Sequence, residues 1–180
     1  MKTLRLILGD QLNYKHSWFK DTEEDVLYYM AEMRQETDYV AHHIQKVVGF
    51  FAAMRNFSEW LSERGHEVIY HTLDTDENQQ ALPKNLKALI ASTDIEKFEY
   101  LLPDEYRLDL QLQEFCDTLE IPTEAFDTEH FLTTREELSA FFSDKKTYTM
   151  EYFYRYMRKK QDILMVNDKD PVGGKWNYDK

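Results

Sequence analysis

The residues with chemistry to offer gather just after short apolar runs. In "LILGDQL", Gly9, Asp10 and Gln11 follow a strand-like stretch directly. Glycine permits close backbone approach to a ligand, and Asp and Gln supply an acceptor and a donor. An ordinary strand-ending turn accounts for the same three residues equally well. A second group, Glu32, Glu36 and Tyr39 in "AEMRQETDYV", follows the next apolar run. Carboxylates there suit a ligand's hydroxyls or ring N–H groups, although acids also gather at helix starts because the macrodipole favours them. A third group, Asp104, Glu105, Tyr106 and Arg107 in "PDEYRLDL", opens a later helical stretch.

Other chemistries find no footing. The pair His42-His43 invites a metal, yet neighbouring helical side chains point about 100° apart and no HExxH or cysteine partner accompanies them. Neither a GxGxxG nor a GxxxxGK[ST] pattern is present, which disfavours dinucleotide and triphosphate sites of those kinds. No Ser/His/Asp or Cys/His nucleophile assembles from the chain. The single cysteine, Cys116, makes no internal disulfide or cluster by itself, and a reducing cytoplasm is the expected compartment.

The elements that must position these groups alternate. Residues 3–9, 25–32, 67–72, 97–104 and 121–127 read as strands, the second nearly continuous in apolar residues as a strand covered on both faces requires. Between them, helices are expected over 39–64, 79–92 and 105–120, the first closed by Gly65 and the second with Pro83 in or near its first turn. Such alternation predicts an α/β fold: a three-layer, Rossmann-like parallel sheet of five strands, the first strand central, with helices on both faces. Ligands bind such sheets beyond the carboxyl ends of the strands, where the three groups above fall.

Two further helices are expected at 134–142 and 149–165, the second, "MEYFYRYMRKKQDILM", crowded with cations. Arg155, Arg158 and Lys159 share a face by spacing, as a solvated basic face or a docking surface would. Met150, Phe153, Met157 and Leu164 form an apolar stripe, followed by Trp176 and Tyr178 in "PVGGKWNYDK". Net charge is −12, but residues 1–144 hold 29 acids against 13 bases while the remainder carries +4. So acidic a body is repelled by phosphate backbones. No apolar run reaches the roughly 18 residues of a membrane span, and the N-terminus lacks a signal-peptide pattern.

"LILGDQL", "MAEMRQETDYVAHHIQKVVGFFAAMRNF", and "MEYFYRYMRKKQDILM" followed by "PVGGKWNYD" resemble the deoxyribodipyrimidine photolyase-related proteins, the iron–sulfur bacterial cryptochromes and photolyases. The resemblance runs over essentially the whole chain. It implies an N-terminal α/β domain (1–145) for an antenna pigment, 6,7-dimethyl-8-ribityllumazine. Residues 146–180 would then lead toward a helical domain holding FAD, a 4Fe–4S cluster and the DNA lesion site, so that the chain is part of a longer protein. By resemblance Gly9, Asp10, Gln11 and Leu12, with Glu36 and Tyr39, line the pigment site, and Glu32, Asp104 and Tyr106 are further candidates. Repair of (6-4) photoproducts or blue-light sensing is implied for the longer protein, with DNA met through the helical domain. The segment 149–178, lacking that domain, is expected to be poorly ordered or to pair with a second copy. A stand-alone nucleotide- or metabolite-binding domain and a ligand-free interaction domain are the rival readings.

Overall fold

A computed structural model describes residues 1–179. Five strands, β1 (Thr3–Leu6), β2 (Val26–Ala31), β3 (Glu67–His71), β4 (Lys97–Leu101) and β5 (Thr123–Phe126), form one all-parallel sheet in the order β3-β2-β1-β4-β5. The first strand is central, as the alternation predicts. The order in which strands are laid down reverses between the parallel neighbours β1 and β4, so the loops leaving these two strands diverge and open a crevice.

Side-chain alternation builds the layers. Leu4, Leu6, Leu27, Tyr29, Phe98 and Tyr100 turn one way, against helices α3 (Leu82–Ser92) and α4 (Tyr106–Cys116) through Leu82, Leu86, Leu89, Leu108, Leu112 and Phe115. Val26, Tyr28 and Met30 turn the other way, against α2 (Ile44–Glu63) through Phe51, Met54, Phe57 and Leu61. Trp18 and Phe19, from a short 3-10 turn, complete that second layer. Arg5 also points there and is buried. Its guanidinium donates to Glu99 (2.7 Å), Glu23 (2.7 Å) and the Tyr28 hydroxyl (3.1 Å) and lies 5.0 Å from the Trp18 ring centre. A charge so deep persists because its donors are taken.

The inter-strand helices are shorter than the sequence suggests, α3 beginning at Leu82, α4 ending at Cys116, and α2 losing most at its start. The helical period that begins at Tyr39 becomes helix only at Ile44. The His43 side chain accepts from the Gln45 backbone N–H (3.2 Å) and caps the start, leaving Tyr39 to His43 as a turn after a four-residue helix, α1 (Arg34–Thr37). Its other end closes as Gly65 foretells. Gly65 takes φ +86°, with Gly65 N–H to Ser62 O at 3.0 Å and His66 N–H to Leu61 O at 3.2 Å, a Schellman pair.

Met1–His130 is one compact unit, and a second begins at Phe131. The second holds α5 (Arg135–Phe142) and α6 (Met150–Lys160), joined by a cluster in which the Phe141 ring lies 4.9 Å from Phe142 and 5.1 Å from Phe153. The helix expected over 149–165 ends at Lys160. Arg158 turns inward, 8 % exposed, and donates to the carbonyls of Ile163 and Leu164, closing the helix instead of lining a solvated basic face. Asp162 and Leu164 adopt positive φ in that turn. The Trp176 ring is half-buried, with the charged ends of Arg155, Arg158 and Lys159 at 5.6, 5.3 and 5.3 Å from its centre. Part of the segment 149–178 is thus packed within its own unit, while Met150, Leu164 and Tyr178 remain exposed. Among the described residues no helix is long and apolar enough to cross a membrane.

Candidate functional site

At the carboxyl end of the sheet, within the first unit, lies a cavity of about 240 Å³. Its floor is the end of β1 and the turn after it, Leu6 to Asp10, with Ala31 and Met33 from β2 and the residues following. Val47, Phe50, Phe51 and Met54 of α2 form one wall, and Leu82 and Leu108 at the starts of α3 and α4 form another. The rim is polar: Asp10, Glu36, Thr37, Tyr39, His42, Lys46 and Glu105. An apolar interior with a few polar groups at the edge is the usual form of a small-molecule site.

Gly9 sets the shape. A Cβ at this position would stand 2.3 Å from Phe50 Cε1 and 2.7 Å from Met54 Sδ, so only glycine lets the Phe50 ring lie directly over the backbone. Asp10 reaches solvent from the mouth of the cavity. Partial enclosure pushes its carboxyl pKa upward despite a hydrogen bond from its own backbone. The charges of Asp104 and Glu36 push further up, with His130 opposing.

Arg107 ties the rim together. It donates to Glu36 (2.8 and 3.4 Å) and to Glu105 (2.9 and 3.0 Å), and its guanidinium carbon lies 4.8 Å from the Tyr39 ring centre. Both carboxylates hold the Arg107 pKa above its ordinary range, Glu36 first, although burial opposes them. Gln35 adds a second tie, donating to Glu36 (3.0 Å) and Gln111 (2.7 Å) and accepting from Leu82 N–H (3.0 Å). Further back, Gln80 at φ +60° accepts from Arg34 N–H (3.1 Å) and donates to Leu73 O (2.7 Å), fixing α1 against the loop after β3.

Of the residues singled out from sequence, Gly9, Asp10, Glu36, Tyr39 and Glu105 meet at the cavity. The others have different surroundings. Gln11 is 1 % exposed; its Oε1 accepts from Leu8 N–H (3.0 Å) and its Nε2 donates to Leu101 O (3.0 Å), bracing β1 against β4 beneath the crevice. Glu32 is fully buried behind the floor. Arg55 grips both its oxygens (2.5 and 2.9 Å), and it also accepts from the Tyr70 hydroxyl (2.9 Å) and Leu73 N–H (3.1 Å). Burial alone would raise its pKa, and these donors together bring it below the ordinary carboxylate range. Leu12 packs half-buried against the α2 layer. Asp104 accepts from, or is bridged by, His130 Nε2 at 2.9 Å, and Tyr106 stands 80 % exposed.

Sequence reasoning missed the apolar wall. Phe51 and Met54 fall on the helical period of 39–64, Phe50 does not, and only its meeting with Gly9 marks Phe50 as lining. Glu105 and Arg107 were legible as first-turn residues of α4, but their link to Glu36, 71 residues away from Arg107, is a product of topology.

Residues 5–180 match the family model described as deoxyribodipyrimidine photo-lyase-related protein. The chain is similar to the (6-4) photolyase of Agrobacterium fabrum, 34 % identical over 181 residues that cover 99 % of this chain and 35 % of that protein. It is also similar to an uncharacterized protein of Acanthamoeba polyphaga mimivirus, 29 % identical across 87 % of this chain and 77 % of that one. The chain thus spans about a third of the photolyase's length.

Proposed function

The chain belongs to the deoxyribodipyrimidine photo-lyase-related family, and we propose that its cavity at the carboxyl end of the sheet is the site of an antenna pigment, a flat, ribityl-bearing heterocycle of the lumazine class. The observation that carries this reading is the apolar cavity beside the Gly9–Phe50 contact: Phe50 rests on bare glycine backbone, Val47, Phe51, Met54, Leu82 and Leu108 wall the space, and carboxylates stand at the opening. An apolar ring is complementary to that interior, and a polyol tail is complementary to the acidic rim, since hydroxyls donating to carboxylates make charge-assisted bonds. At about 240 Å³ the cavity is smaller than typical sites of 300–1,000 Å³, which favours a ring of two cycles with its tail outside.

When bound, such a pigment absorbs light and passes the excitation to a flavin. The chain's own residues are asked only to bury the ring, hold it rigid and keep water from it. Gln11 and Gln35 serve rigidity, and Met33, Phe50, Phe51, Met54 and Leu108 serve burial. FAD, the 4Fe–4S cluster, light-driven repair or sensing, and contact with DNA belong, in this reading, to sequence outside this chain in a protein of the photolyase's length. The −16 balance of residues 1–144 supports that assignment of DNA contact elsewhere.

A second reading is favoured by the mimivirus relative, 77 % of whose length this chain covers: the same domain acting by itself as a metabolite-binding module. Titration of the purified protein with 6,7-dimethyl-8-ribityllumazine, followed by pigment fluorescence and by thermal stabilisation, tests the proposal. Saturable binding at one site, with a rise in Tm, is expected. Stabilisation by nucleotides and none by the lumazine would replace it with the second reading.

A further inference from the structure

We infer that the cavity selects a flat heterocycle with an uncharged hydroxylated tail and rejects the phosphate ester of the same molecule; the inference rests on the pigment reading above. The mouth provides the selection. Carboxylates of Asp10, Glu36 and Glu105 line it, and Asp104 stands close enough to Asp10 to act on its charge.

Two permanent cations are near. Arg107 has its donors divided between Glu36 and Glu105 and its face on Tyr39, so recruiting it to a phosphate means breaking two ion pairs. Lys46 is exposed on α2, with Nζ 3.1 Å from His42 Nδ1; set with Arg107 against Asp10, Glu36 and Glu105 it still leaves the mouth negative, and its exposure weakens its hold on a phosphate. Tyr39 and His42 also line the mouth, and His130 lies 2.9 Å from Asp104. A phosphate therefore meets net negative charge in a partly enclosed site, where one uncompensated like-charge pair weakens binding by about tenfold. Hydroxyls in the same place find acceptors. The arrangement is the reverse of a phosphate cradle, which offers a glycine-rich loop of backbone N–H groups or a free arginine.

The test compares ligand pairs that differ only in the phosphate: 6,7-dimethyl-8-ribityllumazine and its 5′-phosphate, and riboflavin and riboflavin 5′-phosphate, titrated by fluorescence into the full chain. The unphosphorylated member is expected to bind about tenfold or more tightly, with the gap narrowing as salt screens the rim. Glu36→Gln removes one charge and releases half of Arg107's partners, and it is expected to narrow the gap between ester and parent, raising affinity for the phosphate ester and lowering it for the parent, whose hydroxyls lose a charged acceptor. If Glu36→Gln unfolds by circular dichroism, Asp10→Asn, at an exposed position, serves with the same expected direction. Phosphate esters binding as tightly as their parents to the unaltered chain would overturn the selection and leave the pigment reading intact. Failure of all four compounds to bind would overturn both.

Discussion

Gln11 offers the clearest test of what holds the crevice open. Its side chain is 1 % exposed and bridges Leu8 N–H (3.0 Å) to Leu101 O (3.0 Å), joining β1 to β4 where their loops diverge. Gln11→Ala leaves a buried donor and a buried acceptor without this partner. A stranded buried polar group costs about 1–3 kcal/mol, and in a site already bordering a cavity water relieves part of that. The expected loss is therefore about 2–4 kcal/mol, or roughly 4–16 °C in Tm for a chain of this size. Gln11→Glu retains the acceptor for Leu8 but points a second oxygen at the Leu101 carbonyl, and should fall at least as far near neutral pH, recovering partly as the carboxyl protonates. Urea unfolding followed by circular dichroism, with tryptophan fluorescence as a second probe because the chain has two units, measures both. A Gln11→Ala variant within 0.5 kcal/mol (about the range of an unimportant surface change) would refute the bracing role.

Gly9→Ala drives a methyl group into Phe50 Cε1 and Met54 Sδ, side-chain ends that can move; a Tm loss of only a few degrees with pigment affinity reduced about tenfold or more is expected by thermal melts and titration. Glu32 has a folded pKa below its ordinary 4.5, so it stabilises the fold above that pH and the contribution is lost as pH falls through the lowered value; acid unfolding curves of Glu32→Gln should be flatter below pH 4.5 than those of the unaltered chain. Arg55→Ala leaves the Glu32 carboxylate buried without its cation and is expected to cost about 2–4 kcal/mol in urea unfolding, somewhat under a fully buried pair because Arg55 is half exposed. Arg158→Ala removes the donors to Ile163 and Leu164, and trypsin should then cleave after Lys159, Lys160 or Lys169 several-fold sooner, read by mass spectrometry of a digestion time course.

The sheet was legible because its signal is local and periodic. Apolar runs of five to seven residues separated by capped helices leave a parallel sheet as the economical packing, and Gly65 and Pro83 marked helix ends by their backbone chemistry. Boundaries set by single side chains were less legible. His43 acts as a cap through a ring nitrogen, a role its pairing with His42 obscured, and Arg158 reads as surface charge until the turn after α6 brings two carbonyls to it. At the site, position after a strand identified Gly9, Asp10, Glu36 and Tyr39. The same rule could not distinguish a rim carboxylate such as Glu36 from a buried one such as Glu32, four residues earlier. That difference depends on Arg55 and Tyr70, which reach Glu32 from other elements.

The central claim is that a flat pigment occupies the cavity beside the Gly9–Phe50 contact, and a structure of the chain with bound 6,7-dimethyl-8-ribityllumazine tests it most directly. The account predicts the ring within the cavity, against Phe50, Phe51, Met54, Leu82 and Leu108, with hydroxyls of the tail on Asp10 or Glu36. A pigment bound elsewhere, for instance on the surface between α3 and α4 near Lys84 and Gln111, with the cavity beside Gly9 and Phe50 empty of it, would contradict it.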